Sequence, residues 1–206
     1  MKQAKTLVEL QQLFQPMLLE IAKAERGNLY PLDMMVWGIA QRSVSFINAF
    51  VQLMKTDNHI GASCIIRAHL DSLLTFYGAY MTSTPHEYAT HIMEAKPLKK
   101  FHDRNGKPLH YHHIAETLST IDGKEWVINV YKTASKHIHF SHKHIFGTIS
   151  NVSEDTATFV LKDKLEMTEE EKIEYFECMI AITEELLHFM GGWCKTKELA
   201  IVSPKK

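Results

Sequence analysis

Residues 59–82, HIGASCIIRAHLDSLLTFYGAYMT, decide the fold. Read as a helix, this stretch carries apolar side chains around most of its circumference, which predicts a helix buried inside the protein. The preceding segment, MMVWGIAQRSVSFINAFVQLMK at 34–55, has the same pattern and can be capped by Asp33. The polar TDNH at 56–59 breaks the pattern between the two segments. The two segments therefore predict a pair of buried, central helices.

Helical periodicity continues on both sides of this pair. Residues 4–26 place apolar side chains at helical spacing and end before Gly27, a suitable C-terminal cap. A capping box at Thr168, with three glutamates after it, starts the last long helix, which Gly191 and Gly192 are expected to loosen or end. Four helices are predicted beyond the central pair on the C-terminal side, at about 84–95, 111–120, 123–141 and 169–196.

One segment between the last two helices has the composition of strands. HIFGTI and TATFVL are rich in β-branched and aromatic residues and flank the polar turn NVSED, which predicts a small hairpin at about 144–162. The length of 206 residues favours one core, and the sequence has no internal repeat. We therefore expect an all-α protein with one domain, 1–206, and an inserted β-hairpin.

The charge balance and the cysteines limit the function classes. The sequence has 23 Lys and Arg against 24 Asp and Glu, so any contact with RNA or DNA must be local. Three widely spaced cysteines in apolar helical surroundings indicate buried thiols in a reducing compartment. No signal peptide and no membrane-spanning run is found, so we expect a soluble, cytoplasmic protein without a membrane partner or a cofactor.

The histidine-rich stretch YKTASKHIHFSHKHIF, at 131–146, raises the question of a metal site. His137 and His144 point away from the other imidazoles of a straight helix, and no HExxH or CxxC pattern is present, so zinc is disfavoured and no metal is expected. One helix face combines groups that donate and accept hydrogen bonds with groups that titrate near neutral pH. That face carries Tyr131, Ser135, His139 and His142.

Two arginines stand on the apolar central helices. Arg67 has Asp71 one turn away, and Arg42 lies on the preceding helix with Asn48. An unpaired buried guanidinium costs several kcal/mol, so Asp71 is the nearest candidate partner of Arg67. Such residues either lock the helices in register or hold a phosphate or carboxylate.

These residues carry a resemblance to a known family. The run RSVSFINAFVQLMKTDNHIGASCIIRAHLDSLL at 42–74, followed by YKTASKHIH at 131–139, resembles a group of bacterial helical proteins within or near the HEPN superfamily. In that group an arginine opens the second helix, an arginine with an acid one turn on marks the third, and a Tyr-x-x-x-Ser-x-x-x-His helix follows. The resemblance covers about half of the chain, and Asp71 stands where glutamate is expected.

The resemblance implies a HEPN-like helical bundle that self-associates, a homodimer, through an apolar helix face. HEPN proteins include metal-independent endoribonucleases of bacterial defence and stress systems, and descendants that have lost activity and bind RNA or dimerise. In a catalytic member, His139 would be the base and Arg67 or Arg42 would stabilise charge on the phosphorane. The supporting polar residues in this interpretation are Asp71, Tyr131, Ser135 and His142.

A second, weaker motif lies in the loop between the predicted helices. The HEPN signature is an arginine, a polar residue directly after it, and a histidine a few residues further along the chain. Arg104, Asn105 and His110 follow this arrangement. Gly106 and Pro108 would break a helix where the signature needs one, which disfavours this alternative.

Two other interpretations remain open from the sequence. In the first, the chain is a structural or regulatory module without catalysis, and one buried polar network orders its helices. That network would comprise Arg42, Arg67, Asp71, Tyr131, Ser135 and His139. The second is a histidine-metal hydrolase, which ranks below the HEPN-like interpretation and the structural module. The sequence does not decide whether the protein is an enzyme, and it identifies no protein partner.

Overall fold

The computed structural model describes residues 2–138, 148–153, 156–159 and 167–202. In these ranges the chain is mostly helical, which confirms the predicted all-α class. The elements, in chain order, are α1 Lys2–Gln12, α2 Phe14–Lys23, α3 Pro31–Lys55, α4 His59–Met81, α5 Pro85–Met93, α6 Tyr111–Leu118, α7 Trp126–Ile138, β1 Ile149–Val152, β2 Ala157–Phe159 and α8 Glu169–Val202.

Helix α4 lies at the centre of the bundle, as its apolar circumference predicts. It packs against α3, α5, α6, α7 and α8. Leu70, Leu74 and Phe76 are fully buried, and burial of each such side chain stabilises the fold by about 1.5–3 kcal/mol. Polar residues on α4, such as Arg67 and His69, are therefore inside the protein.

Within the described residues, none of the helices is both long and apolar enough to cross a membrane.

The N-terminal segment is two helices, and the prediction of one continuous helix over 4–26 is wrong. The chain breaks at Leu13, between α1 and α2. Pro16 explains the break, because it has no N–H for the carbonyl of Gln12 and its ring would clash with that carbonyl. After α2, a 3-10 turn at Ala24–Gly27 contains residues with positive φ and redirects the chain.

Asp33 is not the N-cap of α3, which begins three residues earlier than predicted. Pro31 is its first residue, a position that proline favours. The carboxylate of Asp33 instead accepts the backbone N–H of Tyr30, at 2.8 Å from Oδ2. Asp33 therefore faces the interior of the bundle, where it is 1% exposed.

The start of α8 confirms the predicted capping box, but its glycines do not end the helix. The N–H of Thr168 donates to Glu171 Oε2 at 2.8 Å, and the N–H of Glu171 donates to Thr168 Oγ1 at 3.1 Å. Helix α8 continues through both glycines to Val202. A Cβ on Gly192 would lie 3.4 Å from the hydroxyl of Tyr80, so this glycine permits close packing of α8 on α4.

Strands β1 and β2 form an antiparallel pair. The N–H of Ser153, just after β1, donates to the carbonyl of Thr156, just before β2, at 2.8 Å. This hydrogen bond holds the ends of the two strands together. Two residues assigned to the turn by the sequence, Asn151 and Val152, belong to β1. Residues 144–147 of the predicted first strand lie outside the described residues.

Candidate functional site around Arg67

Helices α4, α6 and α7 meet around Arg67, which is 7% exposed. Its Nη1 forms an ion pair with Asp71 one turn along α4, the partner that the sequence predicts. Its Nε donates to Ser135 Oγ on α7 at 3.2 Å. The guanidinium therefore links the central helix to α7 through Nε, while Nη1 is held within α4 by Asp71.

Two tyrosine rings contact the same guanidinium. Arg67 Cζ lies 4.2 Å from the ring centroid of Tyr131 on α7 and 5.8 Å from that of Tyr111 on α6. Burial lowers the pKa of Arg67, and the two phenols oppose that shift. Because the ordinary pKa of arginine is far above neutral, the group remains a cation at neutral pH. The rings supply a cation–π contact that a lysine would fill less well.

The predicted common face of Tyr131 and Ser135 is confirmed, since both contact Arg67. Ser135 Oγ donates to the carbonyl of Tyr131 at 2.6 Å, so its hydroxyl hydrogen is used and its lone pairs face Arg67. The other two residues proposed for this face, His139 and His142, lie outside the described residues.

A histidine that the sequence analysis missed lies next to this cluster. The ring of His112 contacts Tyr131 edge to face, with the centroids 5.8 Å apart. Its Nδ1 lies 3.4 Å from Glu116 Oε2, one turn along α6, and the two side chains are 45% and 51% exposed. The signal was present as an i, i+4 His–Glu pair in a predicted helix, but nothing in the sequence placed that helix against Tyr131.

Arg42 does not join the cluster, so its inclusion in a buried network with Arg67 is wrong. It is exposed on α3, and its Cζ lies 4.8 Å above the ring of Phe46. Within the described ranges it forms no hydrogen bond or ion pair with a side chain. Its charge acts on His69, on a face of α4 different from that of Arg67, and helps to lower the pKa of that histidine.

The residues of the weaker motif support a loop and have separate partners. Arg104 Nε donates to the carbonyl of Thr82 at 3.2 Å, and the N–H of Asn105 donates to Asp103 Oδ1 at 2.9 Å. His110 Nδ1 accepts the N–H of His113 at 3.1 Å and caps α6. The segment is not helical, in agreement with its glycine and proline.

A buried Asp–His pair anchors this loop to α6, and the sequence analysis did not identify it. Asp103 Oδ2 lies 2.8 Å from His113 Nε2, and Asp103 Oδ1 accepts the N–H of Lys107 at 2.9 Å. Burial alone would raise the pKa of Asp103, but these hydrogen bonds outweigh it and lower the pKa. The pair fixes the first turn of α6, which carries Tyr111 and His112.

Neither a metal site nor a similar protein assigns a function to the cluster around Arg67. No three His, Cys, Asp or Glu side chains in the described part of the chain are placed to hold a metal ion. The three cysteines, Cys64, Cys178 and Cys194, are free thiols. Comparison of the chain with protein-family models, with curated proteins and with solved structures finds no match.

Proposed function

We propose that this chain is a HEPN-like, RNA-directed protein of bacterial defence or stress, and that the surface around Arg67 cleaves RNA without a metal ion. The observation that carries the proposal is the contact series from His112 through Tyr131 to Arg67. It brings a titratable imidazole, a phenol and a permanent cation together at one helix junction. The free cysteines support a reducing compartment, the cytoplasm.

The reaction follows from these groups. A neutral imidazole removes the proton of a ribose 2'-hydroxyl, and the 2'-oxygen attacks the adjacent phosphorus. The bond from phosphorus to the 5'-oxygen breaks, that oxygen takes up a proton from water, and a 2',3'-cyclic phosphate remains. Arg67, in contact with the Tyr131 ring, is a cation that favours negative charge on the phosphorane. Glu116 lies 3.4 Å from Nδ1 of His112, on the opposite side of the ring from Nε2, the nitrogen proposed as the base.

Local positive charge supports RNA as the partner, although the net charge is −1. Lys132 and Lys136 are exposed on α7, the helix that carries Tyr131. Lys99 and Lys100 are exposed in the segment that leads to α6. Contacts of these lysines with phosphates would make RNA binding weaker as salt increases.

The test is cleavage of a single-stranded RNA in EDTA by purified protein and by three variants. We expect His112→Ala to lower the rate by about 100-fold or more, within the range for loss of a general base. His139→Ala tests the base that the resemblance implies, and His188→Ala, an exposed histidine on α8, is the matched control. Absence of cleavage by the wild type would reject the nuclease, and equal rates for the wild type and all variants would reject both proposed bases.

A second function is favoured by the burial of Arg67. With Nε and Nη1 held by Ser135 and Asp71, the arginine already has partners from its own chain. In that case the cluster orders α4, α6 and α7, and the chain is a non-catalytic module. This alternative predicts no cleavage and no RNA binding, together with a clear loss of stability in Arg67→Met.

We also propose self-association through the outer face of α3. Met34 and Trp37 are 62% and 44% exposed there, and Leu29, just before the helix, is 67% exposed. A second copy would cover this apolar surface. Light scattering should give twice the mass of one chain for the wild type and for the control Leu19→Glu, and one chain for Trp37→Glu. A monomeric wild type would reject this interface.

A further inference from the structure

We propose that the cavity between α4, α7 and α8 binds a small, neutral molecule that carries one hydrogen-bond acceptor. The cavity has a volume of about 210 Å³. Its walls are mainly apolar, and Ser63 and Ile66 of α4 form part of them. The other wall residues used below are Val130, Ala134, Tyr175 and Cys178.

The size of the cavity sets the size of the ligand. Helices α7 and α8 both pack on α4, and the short side chains of Val130 and Ala134 leave space between them. A dry apolar cavity of about 150 Å³ accepts benzene. The larger volume here therefore fits a six-membered ring with a short substituent, roughly nine non-hydrogen atoms.

The hydroxyl groups of the cavity can donate one hydrogen bond to a ligand. Ser63 Oγ and Tyr175 Oη are 2.7 Å apart, and one hydrogen bond between them uses one of their two hydrogens. The second hydrogen has no acceptor among the described residues, although Ser63 is only 3% exposed. Burial raises the pKa of Tyr175, so the phenol keeps its hydrogen at neutral pH. A carbonyl or ether oxygen of a ligand would accept this hydrogen.

The charges around the cavity exclude an anion. Glu174 is the charged residue that lines the cavity. Among the described residues, no lysine, arginine or histidine lines the cavity. Burial raises the pKa of Cys178 to about 11, so its thiol is neutral. A carboxylate ligand would lose its hydration without gaining a cation as partner. The geometry therefore selects a neutral ligand.

Three probes of nearly equal shape test each part of the proposal. Acetophenone has the ring and the acceptor, α-methylstyrene has the same shape without the acceptor, and benzoate has a charge. We expect acetophenone to shift the methyl NMR signals of Ile66, Val130 and Ala134. α-Methylstyrene should bind about tenfold more weakly, the effect of one hydrogen bond, and benzoate should not shift these signals. Equal binding of all three probes, or no shift with acetophenone, would overturn the proposal.

Variants then localise the binding. Ala134→Leu fills the cavity from α7 and should abolish the shifts, whereas Ala200→Leu, an exposed position near the end of α8 that does not line the cavity, should not. The double variant Ser63→Ala, Tyr175→Phe keeps the shape and should reduce binding of acetophenone to that of α-methylstyrene. If Ala134→Leu fails to fold, this double variant still tests whether acetophenone binds at the two hydroxyls. Unchanged acetophenone affinity in the double variant would overturn the role of the hydroxyls. The site is independent of RNA cleavage, since neither His112 nor Arg67 lines the cavity.

Discussion

Two buried ion pairs in this bundle differ in what surrounds them. Lys197 of α8 pairs with Asp33 of α3 at 2.9 Å, and their side chains are 0% and 1% exposed. Lys197 Nζ also donates to the carbonyls of Ile21 at 2.9 Å and Asn28 at 2.8 Å. Trp193 Nε1 donates to Asp33 Oδ1 at 2.7 Å. Every hydrogen of the ammonium group therefore has an acceptor within the protein.

The pair of Arg67 and Asp71 is less enclosed, with side-chain exposures of 8% and 21%. The guanidinium contacts aromatic rings, and one of these, Tyr131, contacts the half-exposed His112. A saturated pair can only hold helices together, whereas a pair near titratable surface groups can also take part in chemistry. Burial of a charge is therefore not enough to identify a functional site. Access to the groups around that charge identifies it.

The largest loss of stability is expected at the fully buried pair of Lys197 and Asp33. Lys197→Met leaves the Asp33 carboxylate buried without its cation, which should lower the free energy of unfolding by about 3–5 kcal/mol. Urea denaturation measures this. Lys195→Met, exposed on the same helix, should change stability by less than about 0.5 kcal/mol. Equal, small losses for both variants would erase the distinction between the two pairs.

A smaller loss is expected at the open pair. Arg67→Met should lower the free energy of unfolding by about 2–3 kcal/mol, because the partly exposed Asp71 can regain water after losing its partner. The matched control is Arg42→Met, which should cost less than about 0.5 kcal/mol, since Arg42 is exposed. The same urea titration applies, and a loss as large as that of Lys197→Met would contradict the proposed difference.

A buried neutral histidine adds a pH-dependent contribution. Thr183 donates its hydrogen to the carbonyl of Met179, so His69 Nε2 must donate to Thr183 Oγ1, at 3.0 Å. Burial, with a smaller contribution from the charge of Arg42, lowers the pKa of His69 to about 3. The unfolded chain binds this proton near pH 6.5, so stability is complete above that pH and falls as pH decreases towards 3.

At pH 5 the contribution of His69 should be about 2 kcal/mol smaller than at pH 8. Urea denaturation at both pH values should show this difference in the wild type. The double variant His69→Leu, Thr183→Val removes the titrating group and both hydrogen-bonding partners, so it should lose that part of the pH dependence. Identical pH dependence of the two proteins would mean that folding does not lower the pKa of His69.

The smallest effect is expected at Ser135. Ser135→Ala removes the acceptor of Arg67 Nε and should cost about 1 kcal/mol. Ser45 offers a matched control, because its Oγ donates to the carbonyl of Gln41 four residues earlier, as Ser135 does to Tyr131, but Ser45 is exposed. Ser45→Ala should change the melting temperature little. Equal shifts would show that the contact with Arg67 contributes nothing.

Much of the fold could be predicted because it depends on residues close in sequence. Apolar spacing indicated α3 and α4, and the i, i+4 spacing of Arg67 and Asp71 indicated their ion pair. The same reasoning grouped Tyr131 with Ser135. It failed at Gly191 and Gly192, where the local preference for a helix end is outweighed by packing of α8 on the rest of the bundle.

The parts that could not be predicted depend on how the faces of different helices turn towards each other. His112 reaches Tyr131, and Lys197 reaches Asp33, only after α6 and α8 have packed against α7 and α3. Arg42 and Arg67 looked alike in sequence, yet one is exposed and the other is buried. Helical spacing determines which residues share a face. The packing of all the helices together determines whether that face meets solvent or another helix, because each apolar surface must find a partner.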